Sequence, residues 1–513
     1  MARKWWTLIV VCVATFMLLL DVTIVNVALP SIQRSLHSSF ADLQWVVDAY
    51  SLTLAAFLLT AGGVSDILGR RRVFGIGLVV FTIASALCGL AGSAVVLNFS
   101  RGLQGIGAAM MFATSLALIA QEFSGRDRGT AFGIWGAATG AAIAIGPLIG
   151  GLFTDAFGWQ SIFFLNVPIG IAALTATLTK LVNVRPPGER RIDWGGLVTF
   201  SAALFMLVFA LVRGNDTGWG STQIVSLLAG SVVLLVVFYF IERTIEHPMF
   251  DLSLFNKPTF TGASIVAFTL SASMFAMFLY LTLYIQGILN FSPLQAGLRF
   301  LPQTLVMFAV APIAGKLSAR LPVRALMGFG LVLVGGGLLL MHGLDAGSTW
   351  TALLPGFIIS GVGIGMINPP LASTAVGVVE PQHSGMAGGI NTTFRQVGIA
   401  TGVAALGAVF QHAVQSKVVA MLAGTTAAGH SNVFATAVYS GAGHRAAMAA
   451  PAPVRPLLDH VARVSFTSAL NEILLIGVSI ALIGAVLGFV LIRTRDFVVA
   501  PGAEAAVEAP VAA

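Results

Sequence analysis

Recurrent apolar runs leave this chain one solvent to fold in. Runs of roughly twenty or more mostly apolar residues recur at about 6–29, 43–63, 73–92, 95–120, 130–153, 161–182, 194–213, 222–241, 260–286, 296–317, 323–343, 352–378, 387–411 and 470–492. A helix needs about 20 residues to cross about 30 Å of hydrocarbon. In lipid a spanning segment must satisfy its own backbone, which a helix does. The fourteen runs therefore predict an all-α integral membrane protein with fourteen transmembrane helices. The charge content agrees: 9% of the 513 residues are charged, against about 25% in soluble domains.

The start, MARKWW followed by an apolar run, superficially resembles a secretion signal. The run is too long for one, contains Asp21, and has no small-residue cleavage site before Pro30, so it reads as a retained first span. Cys12 and Cys88 lie inside apolar runs, which excludes a disulfide framework. An even number of spans puts both termini on one side. With the termini inside, 18 of the 27 Lys and Arg fall in inner segments, among them Arg70, Arg71, Arg72, Arg126, Arg128, Arg190 and Arg191. That bias predicts cytoplasmic termini in a plasma (inner) membrane. It also accounts for the basic balance without nucleic-acid binding.

Two stretches lack long apolar runs. The outer loop 412–469 is rich in Ala, Gly and Pro and is expected to have no packed core. The tail 493–513 is expected to be disordered.

An internal repeat organises the rest. Gly62–Arg71 and Gly315–Arg324 share Gly, Ser and a terminal Arg at an offset of 253. Gly105, Gly107, Ser115 and Glu122 face Gly363, Gly365, Ser373 and Glu380 at 258. Span n thus repeats at span n+8, as expected for two six-helix bundles (1–182 and 259–492) with an inserted helix pair (183–258) and a substrate path between the bundles. At these offsets Asp66 becomes Ala319, Arg101 becomes Ile359, and Asp21 has no acidic counterpart in span nine.

Asp21 is the residue that most needs a reason. An acid near a span centre costs about 2.5–3.5 kcal/mol on the insertion scale and marks a functional site by default. It lies about 22 Å along an outward-running span, and Arg101 about 9 Å down an inward-running one, at comparable depth. An arginine lowers the pKa of a nearby acid while burial raises it. Such a carboxylate can take a proton on one side and release it on the other. Asp48 and Glu472, at the outer ends of spans two and fourteen, are alternative acids, although a solvated helix start explains each.

Other patterns carry weaker signals. Gly62, Asp66, Gly69, Arg70 and Arg71 form an inner loop in which Asp66 can bond a neighbouring Arg or a facing helix N-terminus, a latch between conformations. Span five carries Gly140, Gly146, Pro147, Gly150 and Gly151, where small residues permit close helix contact and the proline kinks the span. Asn391 and Arg395 place polar groups in span thirteen, where Arg395 either lines a cavity or caps carbonyls. Met274, Phe275 and Phe278 in span nine suit varied apolar ligands, or simply face lipid. With Asn26, Met110 and Trp135 they are the substrate-cavity candidates. No phosphate-binding loop, catalytic constellation, cofactor motif or metal-ligand spacing is present.

Several strings resemble the fourteen-span drug:proton antiporters of the major facilitator superfamily: LDVTIVNVALPSI at 20–32, GGVSDILGRRR at 62–72, NFSRGLQGIGAAM at 98–110, GAAIAIGPLIGG at 140–151 and NTTFRQVG at 391–398. WQSIFFLNVP at 159–168 departs from the family, which usually has Arg-Trp where Gln-Ser stands. The resemblance implies a monomeric, non-enzymatic exporter of hydrophobic or amphipathic, cationic drugs, working by alternating access. Asp21 would be its proton-coupling acid and Arg101 the modulator. A transporter with the same mechanism dedicated to one endogenous metabolite, lipid or antibiotic is the alternative.

Overall fold

Backbone hydrogen bonding inside lipid dictates what forms, and among the described residues the apolar runs are helical with no strand. The computed structural model describes residues 3–37, 40–123, 125–182, 193–245, 250–318, 320–380 and 384–497. The first half contains α1 (Arg3–Leu36), α2 (Phe40–Leu68), α3 (Arg70–Gly89), α4 (Ala94–Glu122), α5 (Gly125–Phe157), and the short α6 (Gln160–Phe164) continuing into α7 (Asn166–Lys180). Next comes the pair α8 (Trp194–Thr217) and α9 (Thr222–Thr244). The second half contains α10 (Pro258–Leu270), α11 (Ala276–Leu283), α12 (Pro293–Leu317), α13 (Val323–Leu340), α14 (Leu354–Gly377), α15 (Ser384–Leu422), α16 (Ser431–Tyr439), α17 (Gly443–Ala449) and α18 (Arg455–Leu491).

Among the described residues twelve helical segments are long and apolar enough to cross a membrane, or thirteen if the two arms of α2, bent by 50°, count as one span. The expected fourteen is therefore approximate. The shortfall lies in α5, where only Leu148–Phe157 registers as a short apolar helix although the backbone is helical from Gly125 to Phe157. Its first turn carries Arg126, Asp127 and Arg128, and glycines recur along the remainder.

Local chemistry sets the breaks. Gly69 (φ 92°) ends α2 in the left-handed region a side chain resists. Ser292 starts α12 with a reciprocal capping box to Gln295, and Pro293 occupies the first turn. Between α10 and α11, and again after α11, the chain widens into π-helical turns at Ser271–Phe275 and Tyr284–Ile288.

In the first half α1 packs on α5 and α7, and α4 packs on α2 and α3. In the second, α14 packs on α12 and α13, and α18 on α10, α13 and α15. Two seams join the halves, α5 against α12 and α2 against α15. Under the n+8 repeat these are one seam drawn twice: span five on span ten becomes span thirteen on span two. α8 lies against α2 and α15 with α9 outside it. Only 17% of the apolar window of α9 is buried, against 78% for α4, so α9 is peripheral.

Contacts also correct the repeat register. Gly105 packs on the Tyr50 carbonyl and Gly361 on that of Gln303; Gly107 packs on the Gly77 carbonyl and Gly363 on that of Gly330. Span four therefore repeats at 256, not 258. Glycines at 361, 363 and 365 made a slip of two invisible in sequence. Arg101 corresponds to Phe357, and Gln104 to Ser360.

The outer loop differs from expectation as well. α15 continues to Leu422 and α18 begins at Arg455, so the connection is shorter than 412–469, and it holds α16 and α17. Phe434, Ala435, Val438 and Ala447 are buried in one cluster with Val418, Leu422, Val461 and Phe466. Alanine is the best helix former, and the long helices give these short ones a surface to cover. Glu472 consequently lies well inside α18, exposed, rather than at a helix start. Residues 498–513, most of the expected disordered tail, lie outside the described residues, whereas Asp496 accepts from the Thr259 hydroxyl at 2.7 Å.

Candidate functional site

Asp21 lies on α1 and is fully buried, as is Arg101 on α4. Arg101 Nη1 donates to Asp21 Oδ2 at 2.5 Å. The other carboxylate oxygen, Oδ1, accepts from Gln104 Nε2 at 3.0 Å and from Asn166 Nδ2 at 2.9 Å. Ser85 on α3 accepts from Asn166 at 3.0 Å and donates to the Phe163 carbonyl at 2.9 Å. Arg101 Nη1 also reaches Gln104 Oε1 at 2.7 Å, and Nε donates to the Val46 carbonyl at 2.9 Å. The Tyr50 ring covers the guanidinium at 4.3 Å, a cation–π contact. Helices α1, α2, α3, α4 and the α6–α7 segment thus build a closed polar cage around one acid.

The cage is electrostatically demanding. Two buried charges cost more to desolvate than their attraction returns unless further hydrogen bonds satisfy them, and here three side chains from two helices bond the carboxylate. Gln104, Asn166, Ser85 and Tyr50 were not singled out from sequence. Gln104 could have been, because position i+3 shares a helix face with Arg101. Asn166 had only its polarity inside span six to mark it. In the second half the equivalent place is uncharged: Gln303, the counterpart of Tyr50, donates to Ser360 at 2.7 Å, and Phe357 stands for Arg101.

A second cluster lies on the face where Arg3 pairs with Glu122. Asp66 Oδ2 accepts from the Met386 backbone N–H of α15 at 2.7 Å, while Arg70 Nη2 lies 3.4 Å from its Oδ1. Arg70 Nη1 also reaches the Ala117 carbonyl at 3.4 Å. Arg71 turns elsewhere and donates to the Thr177 carbonyl at 3.1 Å and to that of Leu178, both in α7. Gly62 supplies the carbonyl for the Ser65 hydroxyl at 2.7 Å. The halves meet on this same face. A Cβ on Gly129 of α5 would stand 2.1 Å from the Gly315 carbonyl of α12, and Gly388 lies against Leu116.

The α5 glycines serve two neighbours. Gly146 and Gly150 abut Thr23 and Ile24 of α1, Gly140 abuts Met307 of α12, and Gly151 has nothing within 4 Å. Pro147 lies within the α5 backbone, but its side chain, like those of Asn26 and Asp48, is outside the described residues.

The cavity candidates scatter. Met110 lies against Gly77 of α3. Trp135 is buried and donates to Thr15 at 3.1 Å. Met274 is buried beside Gln303. Asn391 is directed at the Ala263 carbonyl, 3.5 Å away. Phe275, Phe278 and Arg395 are partly exposed, with the Arg395 guanidinium 5.7 Å from the Phe275 ring. Among the described residues no cluster of His, Cys, Asp or Glu could hold a metal.

A caged ion pair within one half, and two repeat-related seams between the halves, define a multi-pass membrane transporter rather than an enzyme. The chain belongs to the Major Facilitator Superfamily, whose profile matches residues 11–403. It is 37% identical over 404 residues to the multidrug resistance protein Stp of Mycobacterium tuberculosis, covering 79% of this chain and 75% of that one. It is 34% identical over 406 residues to the tetracenomycin C resistance and export protein of Streptomyces glaucescens, covering 79% and 76%. Among solved structures the proton:xylose symporter XylE superposes with a TM-score of 0.61 at 12% identity, covering 96% of each chain, which shows the shared fold.

Proposed function

We propose that this chain is a proton-coupled antiporter that exports hydrophobic or amphipathic small molecules by alternating access, as a monomer in the plasma (inner) membrane with both termini cytoplasmic. Residues 1–182 and 259–492 act as the two moving bundles, and 183–258 as a peripheral pair. The observation that carries the reading is Asp21, an acid enclosed within the membrane by Arg101, Gln104 and Asn166. Such a group has a reason to exist if its proton is exchanged between the two sides. Asp66, bonded across to α15, and Arg70, paired with Asp66, act as a cytoplasmic latch, and the glycine faces of α5 around Gly146 and Pro147 act as the hinge.

The energetics suffice. One charge moved through 100 mV is worth about 2.3 kcal/mol, roughly a fifty-fold gradient of a neutral cargo. The names of the relatives favour drug or antibiotic cargo; the second of them equally favours a pump dedicated to one compound. The test is export of a panel of lipophilic compounds from whole cells, with and without an uncoupler. Broad export that collapses with the uncoupler is expected. Export unaffected by the uncoupler would sink proton coupling, and export of a single compound would select the dedicated reading.

A further inference from the structure

Arg395 is a charge inside an apolar span for which the described residues supply no hydrogen-bond or ion-pair partner. It lies about 17 Å along α15 from Ser384, inside the apolar span Met386–Leu422. Arg101 is bonded to Asp21, Gln104 and the Val46 carbonyl. Arg395, by contrast, has neither a hydrogen bond nor an ion pair among the described residues, and its single neighbour of note is the face of Phe275 at 5.7 Å. Among the described residues it caps no carbonyl. Asp21 cannot be its counter-ion, because that carboxylate is bonded on both oxygens inside the first half.

An intramembrane charge is costly and retained for a partner. None of the described residues is that partner, and a ligand from outside the chain would fill the place. Phe275 begins a line of rings, with Phe278 at 5.9 Å, then Phe300 at 5.5 Å and Phe357 at 5.2 Å, running from the π-helical turn of span nine across α12 to α14. A planar guanidinium suits a carboxylate or similar oxyanion, bound by two parallel hydrogen bonds. Rings beside it suit an aromatic body.

We propose that Arg395 is the counter-charge for the cargo, which is therefore an aromatic anion: a carboxylate or comparable oxyanion on a planar ring system lying against Phe275 and Phe278. The site rests on the reading of the chain as an exporter and deepens it. It also reverses the sign expected from sequence, where the cargo was read as cationic. A cation in this place would meet an unscreened guanidinium and find the interior acid already engaged.

Two dyes with the same tricyclic xanthene skeleton and opposite charge provide the test: fluorescein, an anion, and rhodamine 123, a cation. Binding is read by fluorescence anisotropy on the purified full-length chain in lipid nanodiscs, which requires no transport. The wild type is expected to bind fluorescein more tightly than rhodamine 123. Arg395→Gln is expected to weaken fluorescein binding roughly tenfold, the loss of one charge-assisted contact, and to leave rhodamine 123 unchanged or tighter. Arg395→Lys keeps the charge but loses the planar fork, so it is expected to bind fluorescein more weakly than the wild type and more tightly than Arg395→Gln, which also answers the case in which the glutamine variant misfolds. Preference of the wild type for rhodamine 123, no fluorescein binding by it, or equal effects of Arg395→Gln on both dyes would each overturn the proposal. Fluorescein binding without uncoupler-sensitive efflux from cells would remove the exporter reading and leave the anion site standing.

Discussion

Asp66 on α2 accepts the backbone N–H of Met386, in the first turn of α15, at 2.7 Å. A carboxylate from one half therefore satisfies a helix start in the other, where unpaired N–H groups and the helix dipole both favour an anion. Asp66→Ala removes a charge-assisted bond worth about 1.5–3 kcal/mol. The closed arrangement of this face is expected to lose about tenfold or more in population relative to the open one.

The same face offers a way to measure that population. A Cβ on Gly388 would stand 3.6 Å from that of Leu116, within the roughly 3.5–4.5 Å that a disulfide needs. In a chain with Cys12 and Cys88 replaced by alanine, Leu116→Cys with Gly388→Cys is expected to cross-link under mild oxidant, stop export, and recover on reduction. Adding Asp66→Ala should slow the cross-linking. Export that continues with the bond formed would mean that this face never has to open.

Asp21→Asn is expected to bind cargo yet fail to concentrate it against a gradient, and to melt at lower temperature because Arg101 stays buried without its partner, a loss of about 3–5 kcal/mol. The double variant Asp21→Asn with Arg101→Gln is expected to regain most of the melting temperature but none of the coupling. Uphill transport by either variant would move the coupling acid elsewhere.

Glycines along α5 should separate sharply. A Cβ on Gly129 meets a backbone carbonyl at 2.1 Å, whereas one on Gly151 meets nothing within 4 Å. Gly129→Ala is expected to cut export by about an order of magnitude, while Gly151→Ala stays within about 0.5 kcal/mol of the wild type in stability and transports normally. Cellular accumulation of a transported dye, with expression matched by blotting, reads both.

Much of this architecture was legible because lipid restricts the alternatives. Long apolar runs had to become helices, and depth counted at 1.5 Å per residue set Asp21 level with Arg101, which the structure joins. Neutral polar residues were harder. Gln104 and Asn166 carry no charge to demand an explanation, and serine or asparagine inside a span commonly bonds its own helix. The register of span four was misread because glycines at every second position match themselves after a slip of two. The outer helices α16 and α17 escaped notice because alanine-rich sequence reads as loop until neighbouring helices give it something to cover.

The side chains that bond Asp21 belong to α4 and α7, and its ion-pair partner is covered by Tyr50 of α2, so the whole assembly lies within the first half. If the halves swing past each other as solid pieces, none of these bonds lengthens or shortens. On the function proposed, the coupling acid and the pivot are then separate parts of the molecule. What links them has to be a small internal shift, such as a change of tilt where Gly146 and Gly150 of α5 touch Thr23 and Ile24, a few residues along the same helix from the acid.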